Sequence, residues 1–158
     1  MPHHRALLWK IARPVLRLYW RVRRPLTAGV RGLVFDERGH VLLVRHTYIP
    51  GWYLPGGGVE RGETMLTSLR RELEEEVGVR LTGEARLMGL YANFREFKSD
   101  HVALYVVRHG DYEHEPRRSP EIAESGFFPP EALPEGITPS TARRIAEAAG
   151  EMPPDELW

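Results

Sequence analysis

Between Thr64 and Val77 aliphatic residues and glutamates alternate at a spacing that fits one helix with two different faces. At 100° per residue, Leu66, Leu69, Leu73 and Val77 fall within an arc of about 80°, a stripe fit to face a core. Glu72, Glu75 and Glu76 occupy a neighbouring arc of about 100°. Gly78 follows as the expected C-terminal cap. Carboxylates at i, i+3 and i+4 repel, each pair weakening a helix by roughly 0.2–0.5 kcal/mol. Glu74 adds a fourth negative charge, and the helix dipole disfavours anions near a C-terminus. Stability alone does not select this arrangement. A hard divalent cation offsets the repulsion, because Mg²⁺ binds through carboxylates, water and substrate phosphate. The competing reading is a solvated acidic face, the usual fate of a charge run.

The preceding segment, Gly51-Trp52-Tyr53-Leu54-Pro55-Gly56-Gly57-Gly58, argues against regular structure. Gly56, Gly57 and Gly58 let a backbone approach a ligand or metal without side-chain obstruction, or else form a tight turn. Around this centre, Val30 to Phe35 and His40 to His46 read as strands joined by a turn at Asp36–Gly39. Glu84 to Phe97, Asp100 to Arg108 and Ser125 to Phe128 read as further strands, with 109–120 as an exposed polar loop. Thr138-Pro139 starts a second helix that Gly150 ends. The tail after Met152 reads as loose. Strands around one helix, with another helix at the end, give an α+β or α/β sandwich.

A chain of 158 residues accommodates one domain with a core, and 42% hydrophobic with 28% charged residues is ordinary for a globular protein. There are no cysteines, so disulfides, thiolate metal sites and cysteine nucleophiles are excluded. Net charge is zero but uneven. Residues 1–24 hold seven of the 22 Lys and Arg, and the first acidic residue is Asp36. Apolar residues from Leu8 to Val22 recur at helical spacing beside a stripe of Lys10, Arg13, Arg17, Arg21 and Arg24. The chain therefore divides into a basic amphipathic helix (1–25), a domain (26–150) and a tail (151–158). The N-terminal helix has three readings: packing through residues 5–24 on its own domain or in a homodimer, peripheral contact with a membrane surface, or an import segment. The acidic remainder of the chain argues against a specific nucleic-acid partner. Cytoplasmic location is the default expectation.

The stretch from Gly57 to Val79 resembles a complete Nudix box, G-x5-E-x7-R-E-U-x-E-E-x-G-U with U aliphatic, filled by Gly57, Glu63, Arg71, Glu72, Leu73, Glu75, Glu76, Gly78 and Val79. The resemblance implies an α/β/α sandwich with a mixed central sheet. It implies Glu72, Glu75 and Glu76 as metal ligands, one of them a candidate base, with the Gly57 carbonyl completing the site. Arg71 would orient the glutamates and Glu63 would support it. The cofactor implied is Mg²⁺, with Mn²⁺ as a substitute. Such enzymes often recruit a later carboxylate; Glu121 is the choice here, with Glu124 and Asp100 as rivals.

Arg45 and His46, at a strand end before the glycines, are candidates to touch a phosphate or an ordinary solvent-facing pair. Trp52 and Tyr53 read as packing rather than base stacking, His101 as structural, and Phe127 and Phe128 as core. The implied reaction is Mg²⁺-dependent hydrolysis of a diphosphate linkage in a nucleotide-type small molecule. The alternative is a non-catalytic nucleotide sensor of the same fold, although such sensors usually lose box glutamates. The substrate group is not legible. The proline of the ADP-ribose group is missing, since none occurs between Pro55 and Pro116, and Tyr91 comes too early for the dinucleoside-polyphosphate group.

Overall fold

The structure is a computed structural model that describes residues 26–94 and 99–158. The basic N-terminal helix expected over 1–25, with its packing, membrane and import readings, lies outside the described residues, as does the end of the strand expected to reach Phe97.

The element order is β1 (Thr27–Val34), β2 (Val41–His46), α1 (Met65–Val77), β3 (Val79–Leu81), β4 (Ala85–Ala92), β5 (Asp100–Val107), β6 (Tyr112–His114), β7 (Ile122–Phe128) and α2 (Pro139–Ala148). A mixed sheet runs β1-β5-β4, with β1 parallel and β4 antiparallel to β5. Two antiparallel pairs, β2-β7 and β3-β6, complete the strands. The strand alternation sorts the apolar residues onto two sides. Val30, Val34, Leu42, Val44, Ala103 and Val107 pack with Leu69, Leu73 and Val77 of α1. Leu33, Val41, Leu43, Leu104 and Val106 turn the other way and pack with Ile145 of α2. One helix on each side of the strands is the expected α/β/α sandwich.

Helix α1 has local start and stop signals. The Thr64 hydroxyl accepts the Thr67 N–H at 3.1 Å, and Gly78 adopts φ 69° as the left-handed cap. Helix α2 begins at Pro139 behind an N-cap at Thr138.

The turn expected at Asp36–Gly39 forms, with the Asp36 N–H donating to the His40 carbonyl at 3.0 Å. The strands it joins pair elsewhere, β1 with β5 and β2 with β7. Two expectations are corrected. The segment 109–120 is not wholly loop, because Tyr112–His114 pairs with Val79–Leu81. The tail is not loose. The Ala92 N–H donates to the Glu156 carbonyl at 2.8 Å and the Trp158 N–H to the Ala92 carbonyl at 3.0 Å, so the tail lines the end of edge strand β4.

Candidate active site

A cavity of about 670 Å³ opens among β1, β2, the glycine loop, α1 and the start of α2. Its lining includes Arg31, His46, Gly57, Glu72, Glu76 and Glu121, and also Asn93, Asp100, Thr138, Thr141 and Trp158.

Glu76 lines this cavity and is buried to 6% exposure. Its Oε2 accepts the Gly56 N–H at 2.8 Å. Burial pushes its carboxyl up to about 7; the Gly56 hydrogen bond and the Arg31 charge oppose the rise, and Glu72 and Glu121 add to it. Three carboxylates on α1 and the loop before β7 thus share one electrostatic environment. Gly56 takes φ 136°, which L side chains rarely adopt, and this turn aims its amide at Glu76. Gly57 permits a close approach: a Cβ there would lie 2.5 Å from the Glu72 carboxyl carbon.

Glu72 is held by Arg71, whose Nη1 donates to Oε1 at 2.7 Å. The same guanidinium grips Glu63 through Nε at 2.9 Å and Nη2 at 3.0 Å, and Nη2 also reaches the Gly58 carbonyl at 3.2 Å. Glu63 further accepts the Ser68 hydroxyl at 2.5 Å and the Glu60 N–H at 3.2 Å. These donors, Arg71 first, hold the Glu63 carboxyl down to about 2, and Glu63 in turn raises the Arg71 guanidinium above its ordinary value.

Other expected residues lie differently. Glu75, one helical step from Glu76, is 64% exposed at its side chain, is absent from the cavity lining and stands 3.6 Å from Arg71. Arg45 is also outside the lining; it pairs with Glu124 across the β2-β7 ladder at 2.7 Å on an exposed surface. Glu124 is likewise absent from the lining, whereas Glu121 is part of it. Asp100 also lines the cavity, accepting from Thr27 at 2.7 Å and Asn93 at 2.9 Å. The Gly57 carbonyl accepts the Val30 N–H at 2.9 Å and retains one lone pair. All three glycines line the cavity, but Gly58 needs no special room, since a Cβ there meets nothing within 4 Å.

Arg31 is the residue that sequence reasoning missed. Its guanidinium donates to the Gly56 carbonyl and, at 3.4 Å, to the Leu54 carbonyl. The available signal was one charge within the strand run Val30 to Phe35. His46 ends β2 at a bulge in the β2-β7 register, with its Nδ1 buried and unpartnered. Burial, then the Arg31 charge, lowers its pKa.

The donor chemistry fits a hard divalent cation: the Glu72 carboxylate lies in a cradle that only glycine leaves open, beside a buried Glu76. Among the described residues no three His, Asp or Glu side chains are gathered closely enough to hold a cation by themselves. A cation there therefore needs oxygens from backbone, water or substrate as well.

The family model described as NUDIX domain matches residues 25–148. An RNA pyrophosphohydrolase of Psychrobacter cryohalolentis is 33% identical over 85 residues, which are 54% of this chain and 47% of that protein. The chain thus spans about half the length of this curated relative. Among solved structures, a MutT NUDIX hydrolase from Burkholderia pseudomallei superposes with a TM-score of 0.65 at 26% identity, covering 78% of this chain and 98% of the other. An ADP-ribose pyrophosphatase from Streptococcus suis gives a TM-score of 0.63 at 22% identity, covering 78% and 91%, and this likeness concerns the fold alone.

Proposed function

The chain belongs to the NUDIX family, and from that premise we propose that it hydrolyses a diphosphate linkage in a nucleoside diphosphate derivative, with Mg²⁺ as cofactor and Mn²⁺ as its substitute. The observation that carries this reading is one cavity lined by Glu72, Glu76, Glu121, Arg31 and His46, in which the charges of Glu72, Glu121 and Arg31 all act on the buried Glu76.

Glu72 and Glu76 would hold the metal, with Glu121 and the free lone pair of the Gly57 carbonyl available to complete its shell. When bound, the metal neutralises the diphosphate and makes a water molecule acidic enough to attack phosphorus. The protein's own part is positional and electrostatic. Arg71 holds Glu72 in one rotamer, and Glu63 holds Arg71. Arg31 offers positive charge to the phosphate oxygens. Glu121, whose carboxylate carries no hydrogen bond or ion pair among the described residues, accepts the proton lost by the attacking water. The water oxygen bonds to one phosphorus while the bridging P–O bond breaks toward the other phosphate. Glu75, also part of the box, pairs with Arg71 at 3.6 Å from outside the cavity lining.

The test is product release from nucleoside triphosphates, nucleotide sugars, ADP-ribose and dinucleoside polyphosphates, with Mg²⁺ and with chelator, by the protein and its Glu72→Gln and Glu76→Gln variants. Metal-dependent turnover of any member, lost in both variants, is expected. No turnover across the panel while nucleotide still binds would leave a nucleotide sensor.

A further inference from the structure

The cavity is larger than a diphosphate requires, and Trp158 of the C-terminal tail is part of its lining. Asp155 pairs with Arg143 at 2.6 Å, and its carboxylate accepts the N–H groups of Glu156 and Leu157 at 2.7 and 3.2 Å. Arg144, fully buried, donates Nη1 to the Leu157 carbonyl at 2.7 Å and Nη2 to Glu147 at 2.6 Å. Its guanidinium lies 4.2 Å from the Tyr91 ring centre and 5.8 Å from that of Trp158. Burying a guanidinium is costly unless it is paired and bonded, so this one is committed to fixing the tail. A tail that merely covered the core would turn its aliphatic side chain inward. Here Leu157 is 53% exposed, and Trp158 is the residue that packs, edge-on to Tyr91 at 5.7 Å, while bordering the cavity.

The backbone of Trp158 bonds to Ala92, the residue before Asn93. Asn93 in turn donates its N–H to the Asp100 carbonyl at 2.8 Å and its side-chain amide to the Asp100 carboxylate at 2.9 Å. The Trp158 indole and the hydrogen-bonded Asn93–Asp100 pair thus line the same cavity as Glu72, Glu76 and Glu121, and the Trp158 backbone is bonded to the chain neighbour of Asn93. We infer that these residues form a nucleobase subsite, in which Trp158 stacks on the base and Asp100, set by Asn93 and Thr27, accepts an N–H from its edge. The inference rests on the diphosphate reading for the other half of the substrate. It assigns substrate choice to the tail, a segment beyond the matched residues 25–148.

The experiment measures binding of methylene-bridged, non-hydrolysable analogues of the four common nucleoside triphosphates, with Mg²⁺, against methylenediphosphonate, which has no base. Tryptophan fluorescence and equilibrium dialysis report binding in the full chain and in its Trp158→Phe and Trp158→Ala variants; thermal melting monitors folding. At least one nucleotide analogue is expected to quench a fluorescence component that Trp158→Phe lacks. Trp158→Ala is expected to weaken that analogue roughly tenfold relative to methylenediphosphonate, with Trp158→Phe restoring most of the loss. Undiminished quenching in Trp158→Phe, or equal weakening of both ligands by Trp158→Ala, overturns the subsite. Base-dependent quenching in a protein that hydrolyses nothing keeps the subsite and removes the hydrolase reading.

Discussion

Arg71 and Glu63 meet fork to fork, Nε to Oε1 at 2.9 Å and Nη2 to Oε2 at 3.0 Å, while Nη1 of the same guanidinium reaches Glu72 at 2.7 Å. One planar group thus ties the residue before the helix to the carboxylate that faces the cavity. Lysine supplies the charge but cannot span both partners. Arg71→Lys is therefore expected to lower kcat by about 10–100-fold and to raise the Mg²⁺ concentration for half-maximal rate, as loss of a residue that orients a metal ligand does. Metal titrations of the initial rate decide this. An unchanged metal dependence would show that Glu72 needs no support.

Gly57 and Gly58 separate a steric requirement from mere adjacency. A Cβ on Gly57 would lie 2.5 Å from the Glu72 carboxyl carbon, and its φ lies outside the left-handed region. Gly57→Ala should then fold normally, displace Glu72 and lose activity by about 10–100-fold. Gly58→Ala meets nothing within 4 Å and should lose far less. The pair is compared by kcat and by thermal melting. Equal losses would place the constraint in the loop backbone rather than against Glu72.

Two matched comparisons test which charges act in the cavity. Glu121 lines it, whereas Glu124 is spent on Arg45 at the surface. Glu121→Gln is expected to lower kcat on the order of 100-fold, the usual scale for a proton acceptor, and Glu124→Gln to leave it nearly unchanged. Arg31→Ala should raise KM on the order of tenfold by removing a charged contact to phosphate, against little change for Arg45→Ala. Steady-state kinetics on one substrate suffice, and a reversed order in either pair would reassign the site.

What could be read from sequence was local. Thr64 and Gly78 bracket α1, its leucines mark the buried face, and the box spacing selects Glu72 and Glu76. The same spacing does not separate Glu75 from them, because facing the cavity or solvent depends on where the glycine loop crosses α1. Strands β3 and β6 are three residues each, too short for alternation to register, and they exist because distant segments pair. Arg31 is invisible as a site residue until β1 runs beside the loop at Leu54–Gly57, where Val30 N–H meets the Gly57 carbonyl. The tail has no periodic pattern, and what fixes it, Arg143 and Arg144 of α2 and the backbone of Ala92, lies on other elements.

Glu76 carries a cost that pH should expose. Its folded pKa is about 7 against an ordinary 4.5, raised chiefly by burial. Between those values the unfolded chain has already released the proton that the folded chain keeps, so the unfolded state binds fewer protons and stability falls as pH rises. The loss begins near pH 4.5 and is complete above about 7, amounting to about 3 kcal/mol for a shift of this size. Glu76→Gln keeps an oxygen for the Gly56 N–H and cannot ionise. In chelator it should match the protein near pH 4.5 and exceed it at pH 8 by about that amount, read from urea unfolding at both pH values. Adding Mg²⁺ at pH 8 should narrow the gap, because a cation that binds only the folded state stabilises the chain with the carboxylate more than the chain with the amide. A variant no more stable than the parent at pH 8 would mean that Glu76 is already solvated, and its place beside the cation would lose its physical basis.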